Sequence, residues 1–480
     1  MQRYFLRTDP AFSAALFAIL ATAYALTRSH WLDDWDSVQF ALALDDFDLR
    51  KHQPHPPGYP VYIAAAKVLR TVVPDAAAAL TLLSSLAGAA CASLFFLITR
   101  RDLDRTTALA STLIMAVSPL FWLQAGLALT DMFGFFFVML FILLEGTAPT
   151  TRAGTIWRAI GCGLVAGISI GARPHFTLLI LVYWLARTFF IDRSRAPAAV
   201  AAAALFAGFL IWFLPAAAAT GGFDAYFDTS RAQFEWRFDN PEISVLGASI
   251  DARYLLYRAG AFFFALARSI GPVDSHSIVL GAIFLMPFLL LAWWSTNPSV
   301  TRPYIIALAF YFTLLFVILP AGNQRYFLPF TAIVGWSTPR LLALSRRRPA
   351  LQAAVFGVLF VFNAVPTYWF VKELSKAPPP VAALEWVGST HPDAIFHSSE
   401  LSRHARVYLP LAEIRGTDPS RCSEFATSLA SGRPVLSTLS TYCGIDGSQV
   451  AVFDRDRRVH RKHHFIAIYV YNAPAEASDS

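Results

Sequence analysis

Carboxylates and aromatic side chains alternate in a short segment near the start of the chain. Asp33, Asp34 and Asp36 stand among the aromatic and aliphatic residues of the segment 31–40. Closely spaced carboxylates repel each other, so one of them can hold a proton near neutral pH and act as a base, or the group can bind a divalent cation. A solvated acidic loop is the simpler interpretation. The interleaved aromatic residues favour a half-buried site at a membrane surface instead.

A stiff turn follows these aspartates. Residues 52–60 contain four prolines and one glycine around His52 and His55. Proline fixes its own backbone and restricts the residue before it, so this segment should hold both histidines beside the acidic group. We therefore predict that His52 and His55 contact the substrate.

Further polar residues stand at the ends of apolar segments, namely Asp131, Arg173, and Arg325 with Tyr326 after it. Ionisable residues at membrane depth are functional candidates, and an arginine can clamp a phosphate with paired hydrogen bonds. For Asp131 the alternative is a helix N-cap, formed by its own side chain or by that of Thr130. For Arg173 the alternative is simple anchoring at the membrane interface.

The polar segment 221–258 carries aromatic and basic residues. In it, Trp236 and Arg237 suit the stacking of a sugar ring and contact with a phosphate. The alternative is that this segment anchors a helix lying on the membrane surface.

The composition indicates a membrane bundle that positions these residues. Of the 480 residues, 56% are hydrophobic and 15% are charged, and the mean hydropathy is +0.49. Soluble domains are nearer to one quarter charged, and a helix that crosses a bilayer needs about 20 mostly apolar residues. The predicted fold is an all-α polytopic membrane bundle of about eleven transmembrane helices. The predicted spans are 10–27, 76–99, 106–123, 130–146, 158–172, 174–191, 197–215, 278–294, 303–320, 326–344 and 351–371.

Basic clusters predict the orientation of this bundle. Arginines at 3 and 7, 100–105, 152 and 158, 187–195, 302 and 346–348 fall on one side, which the positive-inside rule makes cytoplasmic. The N-terminus is then inside, and the chain beyond residue 371 is outside. The first 27 residues look like a signal peptide but are interpreted as an uncleaved first span. Tyr59–Val73 and Ile250–Ile270 contain several basic residues and are predicted to be amphipathic helices in the membrane interface.

The composition changes after Pro378–Pro380. Short alternating segments at 394–397, 435–438, 449–453 and 465–471 predict strands, and residues 381–390 predict a helix. We therefore predict a transmembrane domain over 1–373 and a small exported α/β domain over 374–480. Cys422 and Cys443 both lie in the second domain, and export would allow a disulfide between them.

Three of these motifs resemble a known family. Residues 36–40, Asp-Ser-Val-Gln-Phe, followed by residues 55–60, His-Pro-Pro-Gly-Tyr-Pro, resemble the first-loop signature of the GT-C glycosyltransferase superfamily, especially its bacterial protein O-mannosyltransferase-like branch. Residues 323–329, Asn-Gln-Arg-Tyr-Phe-Leu-Pro, resemble an Arg-Tyr-Leu-Leu-Pro segment that recurs late in the superfamily.

The resemblance implies a GT-C-like fold and roles for several residues. An aspartate of the first loop would be the catalytic base or would organise the acceptor, and Asp131 would be a second acidic residue of the site. In the family an acidic residue often follows the first aspartate, whereas Ser37 and Gln39 follow Asp36 here. Asp34 and Asp36 therefore both stay open as the base, and Asp36 is preferred.

The predicted function is that of an integral membrane glycosyltransferase. It would move a sugar from a polyprenyl-phosphate donor to a glycan, lipid or protein acceptor on the outer face of the cytoplasmic membrane. No cofactor is required, and a divalent metal ion held by Asp36 and Asp131 is an open alternative. The predicted catalytic residues are Asp36, Asp34 and Asp131, and the predicted substrate contacts are Asp33, His52, His55, Arg173, Trp236, Arg237, Arg325 and Tyr326.

Two other functions are compatible with a charged membrane bundle. A transporter or flippase of lipid-linked intermediates would place its charges near the bilayer midplane, whereas here they are predicted to meet at the outer surface. A scaffold that binds polysaccharide through its exported domain is the other alternative. The net charge of +7 reflects the arginines that set the topology, and we predict no nucleic-acid partner.

Overall fold

A computed structural model gives the structure of the chain. It describes residues 2–147, 150–189, 198–241, 243–248, 250–268, 278–295, 298–320, 322–343, 348–456 and 464–471. Parts of the predicted basic side, at 190–197 and 344–347, lie outside the described residues.

Helices form the first part of the chain, in agreement with the predicted fold class. They are α1 Gln2–Thr27, α2 Trp35–Asp45, α3 Pro60–Arg70, α4 Ala76–Thr99, α5 Arg105–Ala116, α6 Pro119–Gly126, α7 Thr130–Glu145, α8 Arg152–Ala172, α9 Pro174–Arg187, α10 Ala198–Thr220, α11 Phe223–Asp239, α12 Ala252–Arg268, α13 Ile278–Trp293, α14 Pro298–Ile318, α15 Phe330–Ala343 and α16 Pro349–Leu374.

Each predicted span coincides with a helix or with a bent pair of helices. In the described part of the chain, six helices are long and apolar enough to cross a membrane, and the pair α5 and α6 makes a seventh if it is one span. This pair is bent by 66° just before Pro119, which has no N–H with which to continue a helix. Among the described residues, the other predicted spans, α7, α9, α13 and α15, cover 14 to 16 residues, fewer than the length expected for a crossing, and both α13 and α15 border residues outside the described ranges.

The predicted basic side corresponds to one end of the bundle. The start of α1, the turn between α4 and α5, and the ends of α7 and α9 meet there. The ion pairs are Arg100–Asp9, Arg105–Asp9 and Arg187–Glu145, and Arg101 connects the two groups by donating to the carbonyl oxygen of Leu143. The arginines described there thus share one end, as predicted, and the compartment that this end faces stays a prediction.

Helices α8 and α10 pack through their backbones. Gly163, Gly167 and Gly171 recur every four residues on α8, and Gly208 lies on the facing side of α10. A Cβ atom at Gly167 would lie 2.1 Å from the carbonyl oxygen of Leu205. Small residues at this spacing let two helices approach closely in a membrane, where packing rather than the hydrophobic effect holds helices together.

The two amphipathic segments form helices outside the predicted spans. In α3, Tyr62, Ile63 and Ala66 are buried, so one face packs on the bundle. In α12, Arg258 is buried and donates to the carbonyl oxygens of Phe316 and Leu319, at 2.6 and 2.7 Å. The last carbonyls of a helix have no partner within it, so this arginine satisfies the end of α14 and fastens α12 to it.

The C-terminal domain has the predicted α/β composition. Its helices are α17 Pro379–Thr390, α18 Ser402–Tyr408 and α19 Cys422–Leu429, and its strands are β1 Ile395–His397, β2 Glu413–Arg415, β3 Val435–Ser437, β4 Thr441–Tyr442, β5 Ile445–Asp446, β6 Ser448–Asp454 and β7 Phe465–Tyr471. The main sheet has the order β2-β1-β3-β7-β6, with the first three strands parallel and the others antiparallel. The predicted disulfide between Cys422 and Cys443 is present and joins α19 to the β4–β5 turn.

Replacement of Gly167 by alanine tests the α8–α10 contact. The added Cβ meets backbone rather than a movable side chain, so we expect a loss of about 1 to 3 kcal/mol in unfolding free energy, measured by thermal unfolding in detergent. Gly161→Ala is the matched control on the same helix, because its Cβ would meet only a leucine side-chain atom at 3.7 Å. Equal stability of the two variants would contradict this account of the packing.

Candidate active site

The acidic segment forms the start of α2. Asp34 is the N-cap of this helix, and its carboxylate accepts a hydrogen bond of 2.9 Å from the backbone N–H of Asp36. Asp36 lies in the first turn of α2, where the helix dipole favours a negative charge. The following residues Ser37, Val38 and Gln39 are buried. The cap thus fixes the direction of α2, and with it the position of the Asp36 side chain.

Arg325 joins this helix to a segment far along the chain. It lies in a short 3-10 turn, Gln324–Phe327, between α14 and α15. Its Nη2 is 2.8 Å from a carboxylate oxygen of Asp36, and its Nη1 is 3.8 Å from one of Asp34. The first and the late motifs of the sequence therefore meet through a direct ion pair.

The proline-rich turn places His55 on the other side of Asp36. Nδ1 of His55 lies 2.6 Å from Oε1 of Gln39 and 3.6 Å from Oδ1 of Asp36. Because the amide oxygen of Gln39 can only accept, Nδ1 carries the proton, and Nε2 accepts from the Tyr59 hydroxyl at 3.2 Å. Gly58 completes the turn at a φ of +95°, a conformation that favours glycine.

A second ion pair, between Arg173 and Asp131, is fully buried. Arg173 is the extended residue between α8 and α9, and Pro174 after it starts α9 without needing a donor. Its Nη2 lies 2.7 Å from Asp131, and its Nη1 donates to the Thr130 hydroxyl at 2.7 Å. The N-cap of α7 is Leu129, with no side-chain cap. The N-cap interpretation of Thr130 and Asp131 was therefore wrong: both side chains bind Arg173.

Aromatic rings connect the two ion pairs. The Arg173 guanidinium lies 5.5 Å from the ring centre of Tyr59 and 5.7 Å from that of Tyr326. Arg325 lies 5.4 Å from the same Tyr326 ring. The Tyr326 ring thus contacts both guanidinium groups, and cation–π attraction of this kind strengthens where water is excluded. His175, which accepts from Nε of Arg173 at 3.3 Å, also packs on this ring.

The charges around Asp36 keep it ionised. Burial by itself raises the pKa of Asp36, but His55 and Arg325 more than offset this and hold that pKa below its usual value. Burial lowers the pKa of His55 to about 4, so this histidine is neutral at pH 7. The guanidinium of Arg325 is then the cation that keeps Asp36 a carboxylate.

Comparisons with known proteins give a family match for part of the chain and a shared fold for nearly all of it. The family model of the protein O-mannosyl-transferase TMEM260 N-terminal domain matches residues 50–197, a range that includes His55, Asp131 and Arg173. The search of curated proteins found no match to this chain.

Solved structures resemble nearly the whole chain. ArnT from Cupriavidus metallidurans in the apo state has a TM-score of 0.59 at 12% identity, covering 97% of this chain and 100% of that one. The same protein bound to undecaprenyl phosphate gives 0.58 at 13% identity, covering 96% and 99%. The oligosaccharyltransferase of Archaeoglobus fulgidus, in complex with zinc and sulfate, gives 0.50 at 14% identity, covering 88% and 68%. The chain has the GT-C fold. The predicted resemblance to this superfamily is confirmed.

Within this GT-C fold, most of the predicted site residues come together. Asp34, Asp36, His55, Arg325 and Tyr326 form one contact group, and the Arg173–Asp131 pair joins it through Tyr326. Arg237, on α11, is close enough for its charge to lower the pKa of His55. The roles of these residues in substrate binding and catalysis stay predictions.

Three predicted contacts lie apart from this group. Asp33 is buried and forms an ion pair with Arg455 of the C-terminal domain. His52 ends a short 3-10 turn at the surface, and Trp236 is 55% exposed on α11. Substrate contact by these three residues is a prediction that their present neighbours do not support.

Several residues of the group carried no prediction from the sequence. Gln39 follows Asp36 by one helical turn, and Tyr59 follows His55 by four residues, so spacing from a predicted residue was a usable signal for both. The close approach of Gly134 on α7 to Arg173 could not be predicted from the sequence. A Cβ there would lie 2.4 Å from Cβ of Arg173, so glycine at this position lets Arg173 reach Asp131.

The metal alternative concerns Asp36 and Asp131. In the part of the chain that the structure describes, no three His, Cys, Asp or Glu side chains converge as a metal site requires. Each of the two carboxylates instead has a guanidinium partner. A metal ion held by both stays an untested alternative.

Replacement of Asp131 by asparagine should strongly destabilise the GT-C domain. It leaves the Arg173 guanidinium buried without a carboxylate, which costs about 3 to 5 kcal/mol of unfolding free energy, measured by titration with a denaturing detergent. The double variant Asp131→Leu with Arg173→Met should recover most of this loss, because no unpaired charge remains. Asp45→Asn, which removes an exposed pair with Arg70, is the control and should cost less than about 1 kcal/mol. A loss no larger than that of the control would contradict the role of the pair.

Proposed function

We propose that this membrane protein transfers a sugar from a polyprenyl-phosphate donor to an acceptor hydroxyl, with Asp36 as the base. One observation carries the proposal: Arg325 binds the Asp36 carboxylate with Nη2 while its Nε and Nη1 are buried without a hydrogen-bond partner among the described residues. Buried donors without partners are costly. A phosphate group of the donor would satisfy them and would lie directly beside the base.

The chemistry needs one base and one stabilised leaving group. Asp36 takes the proton of the acceptor hydroxyl as its oxygen forms a bond to the anomeric carbon of the sugar. The bond from that carbon to the phosphate oxygen breaks, and polyprenyl phosphate leaves with the electron pair. Arg325 and Arg173 stabilise the negative charge that develops on this phosphate. Attack opposite to the leaving group inverts the anomeric centre.

The place of the site in the bundle supports this function over transport. The acidic and basic residues of the site meet at the start of α2, the start of α7 and the α8–α9 turn, at the end of the bundle opposite to the Asp9 and Glu145 pairs. A lipid-linked donor reaches such an end with its phosphate at the level of the headgroups. We therefore place the reaction on the outer face of the cytoplasmic membrane, with the C-terminal domain on the same side. The resemblance to ArnT, solved with undecaprenyl phosphate bound, supports a lipid-phosphate donor of this class.

Replacement of Asp36 by asparagine tests the base. We expect transfer to fall by about 100- to 10,000-fold, since the amide cannot accept the proton. The assay measures labelled sugar passing from a panel of synthetic undecaprenyl-phosphate hexoses and pentoses to acceptors in membranes that contain the protein. Asp45→Asn, at the exposed end of the same helix, is the control and should transfer normally.

Asp34→Asn separates the two candidate aspartates. Asparagine caps a helix as well as aspartate does, so this variant keeps α2 and removes only the charge. If Asp36→Asn keeps its activity and Asp34→Asn loses it, Asp34 is the base. If both variants transfer sugar normally, the proposed site is wrong.

The pH dependence should respond to Arg325. Asp36 acts as a base only when ionised, and its pKa lies below the usual value, so wild-type activity should persist until the pH falls through that low pKa. In Arg325→Gln, His55 stays but the guanidinium that also lowers the pKa of Asp36 is gone, so burial and the charge of Asp34 raise that pKa relative to wild type. We expect the acid limb of the residual activity to move up by about 1 to 3 pH units, measured as kcat/KM against pH. An unchanged limb would show that this pair does not control the base.

A further inference from the structure

Helix α18 of the C-terminal domain binds the backbone that leads into α2. The hydroxyl of Tyr408 accepts a hydrogen bond of 2.8 Å from the N–H of Leu32, and Nε2 of His404 lies 3.1 Å from the carbonyl oxygen of the same residue. Just before α18, the carbonyl oxygen of Glu400 accepts from the Trp35 indole N–H at 3.1 Å. The C-terminal domain therefore contacts both ends of the segment 32–35, which precedes Asp36.

A buried ion pair fixes this contact. Asp33 and Arg455 are 3% and 1% exposed, and Arg455 also donates to the carbonyl oxygen of Glu373 at the end of α16. Ser29 donates to the second oxygen of Asp33 at 2.5 Å. Removal of either side chain would leave the other charge buried and unpaired, which is strongly unfavourable. The docked arrangement therefore depends on both members of this pair.

Arg403 occupies an unusual position in this contact. Its guanidinium lies 4.6 Å from the ring centre of Trp35, and among the described residues it forms no ion pair or hydrogen bond. The carboxylates whose charges act on it are those of Asp36 and Asp34. It thus adds a positive charge near the candidate base while holding the ring of the residue just before that base.

We propose that Arg403 is a positioning residue for Asp36, through which the C-terminal domain orients α2 and keeps the base ionised. The inference rests on the proposed function of Asp36. Trp35 is the first residue of α2, and the hydrogen bond to Glu400 with the stacked guanidinium fixes its side chain. The orientation of the first helical turn, which carries Asp36, follows from that of Trp35.

Other charged and titratable groups also face Asp36, and Arg403 acts in addition to them. They are Asp34 before α2, His55 and Tyr59 in the turn before α3, Asp131 on α7 and Arg325 before α15. Of these groups, only Arg325 is a cation at neutral pH, because His55 is neutral there. Removal of Arg403 should therefore have a smaller effect of the same sign as removal of Arg325.

The test compares Arg403→Gln with Arg403→Lys in the full-length protein. In Arg403→Gln we expect kcat to fall about tenfold with KM for the labelled undecaprenyl-phosphate sugar unchanged. The acid limb of its pH profile should move to a pH about half a unit higher. Arg403→Lys keeps the charge and loses the planar stacking, so its acid limb should stay at the wild-type position. Arg433→Gln, which removes an exposed positive charge elsewhere in the same domain, is the matched control and should behave as wild type.

A second measurement does not depend on activity. Hydrogen–deuterium exchange of the peptide 32–44 should be faster in Arg403→Gln than in the control, while the Cys422–Cys443 disulfide stays formed on a non-reducing gel. If Arg403→Gln does not fold, Trp35→Phe takes its place, because it loses the hydrogen bond to Glu400 and weakens the stacking of Arg403 while it keeps the Arg403 charge. It should speed exchange without moving the acid limb.

The outcomes separate this inference from the proposed function. Wild-type exchange in Arg403→Gln, or an equal shift of the acid limb in the glutamine and lysine variants, overturns the positioning role of Arg403. Loss of transfer in Asp36→Asn with normal transfer and normal pH profile in Arg403→Gln leaves the proposed function intact and refutes the inference alone. Full activity of Asp36→Asn refutes the proposed function, and the exchange rates still decide whether Arg403 holds α2.

Discussion

The ion pair between Asp36 and Arg325 is the contact on which the site depends. It joins residues 289 positions apart, and its side chains are only 18% and 13% exposed. A charge in such a place needs its partner, because removal of one member leaves the other desolvated and unpaired. The N-terminal turn of α2 and the 3-10 turn before α15 are therefore bound to each other. The other groups of the site are arranged around this fixed point.

In the neighbouring Arg173–Asp131 pair, the second guanidinium of the site has a carboxylate partner of its own. Two guanidinium groups contact the same Tyr326 ring, and two unbalanced cations so close would repel each other. Each has its own carboxylate, so the four side chains together carry no net charge. Glycine at position 134 permits the close approach of the α8–α9 turn to α7. The result is a group of preoriented guanidinium donors, each paired with a carboxylate before any substrate binds, and such preorientation is the condition for electrostatic stabilisation without reorganisation.

The sequence predicted the parts of this site that local chemistry identifies. The aspartates, the proline-rich turn and the late arginine motif were visible because each combines ionisable residues with rigid or aromatic neighbours. The ion pair of Asp33 could not be predicted from the sequence. Its partner Arg455 lies 422 positions away, and no local pattern around Arg455 indicates this pairing. Helix positions were mostly predictable as well. Apolar composition placed α7 and α13 to within one residue at each described end, but it placed the start of α15 at 326 instead of Phe330, because it could not show the 3-10 turn Gln324–Phe327.

The strength of the base depends on what Arg325 binds. Before a donor binds, Arg325 pairs with Asp36 and lies near Asp34. It then holds the Asp36 carboxylate ionised but weakens it as a proton acceptor, since a low pKa means a low affinity for protons. On the proposed function, a donor phosphate accepts hydrogen bonds from Nε and Nη1 of Arg325, which lack a hydrogen-bond partner among the described residues, and draws its charge away from Asp36. The pKa of Asp36 then rises toward the range in which proton transfer is efficient. The ion pair thus makes Asp36 a stronger base when the donor is bound than when the site is empty, which protects an activated base from reacting before the sugar is in place.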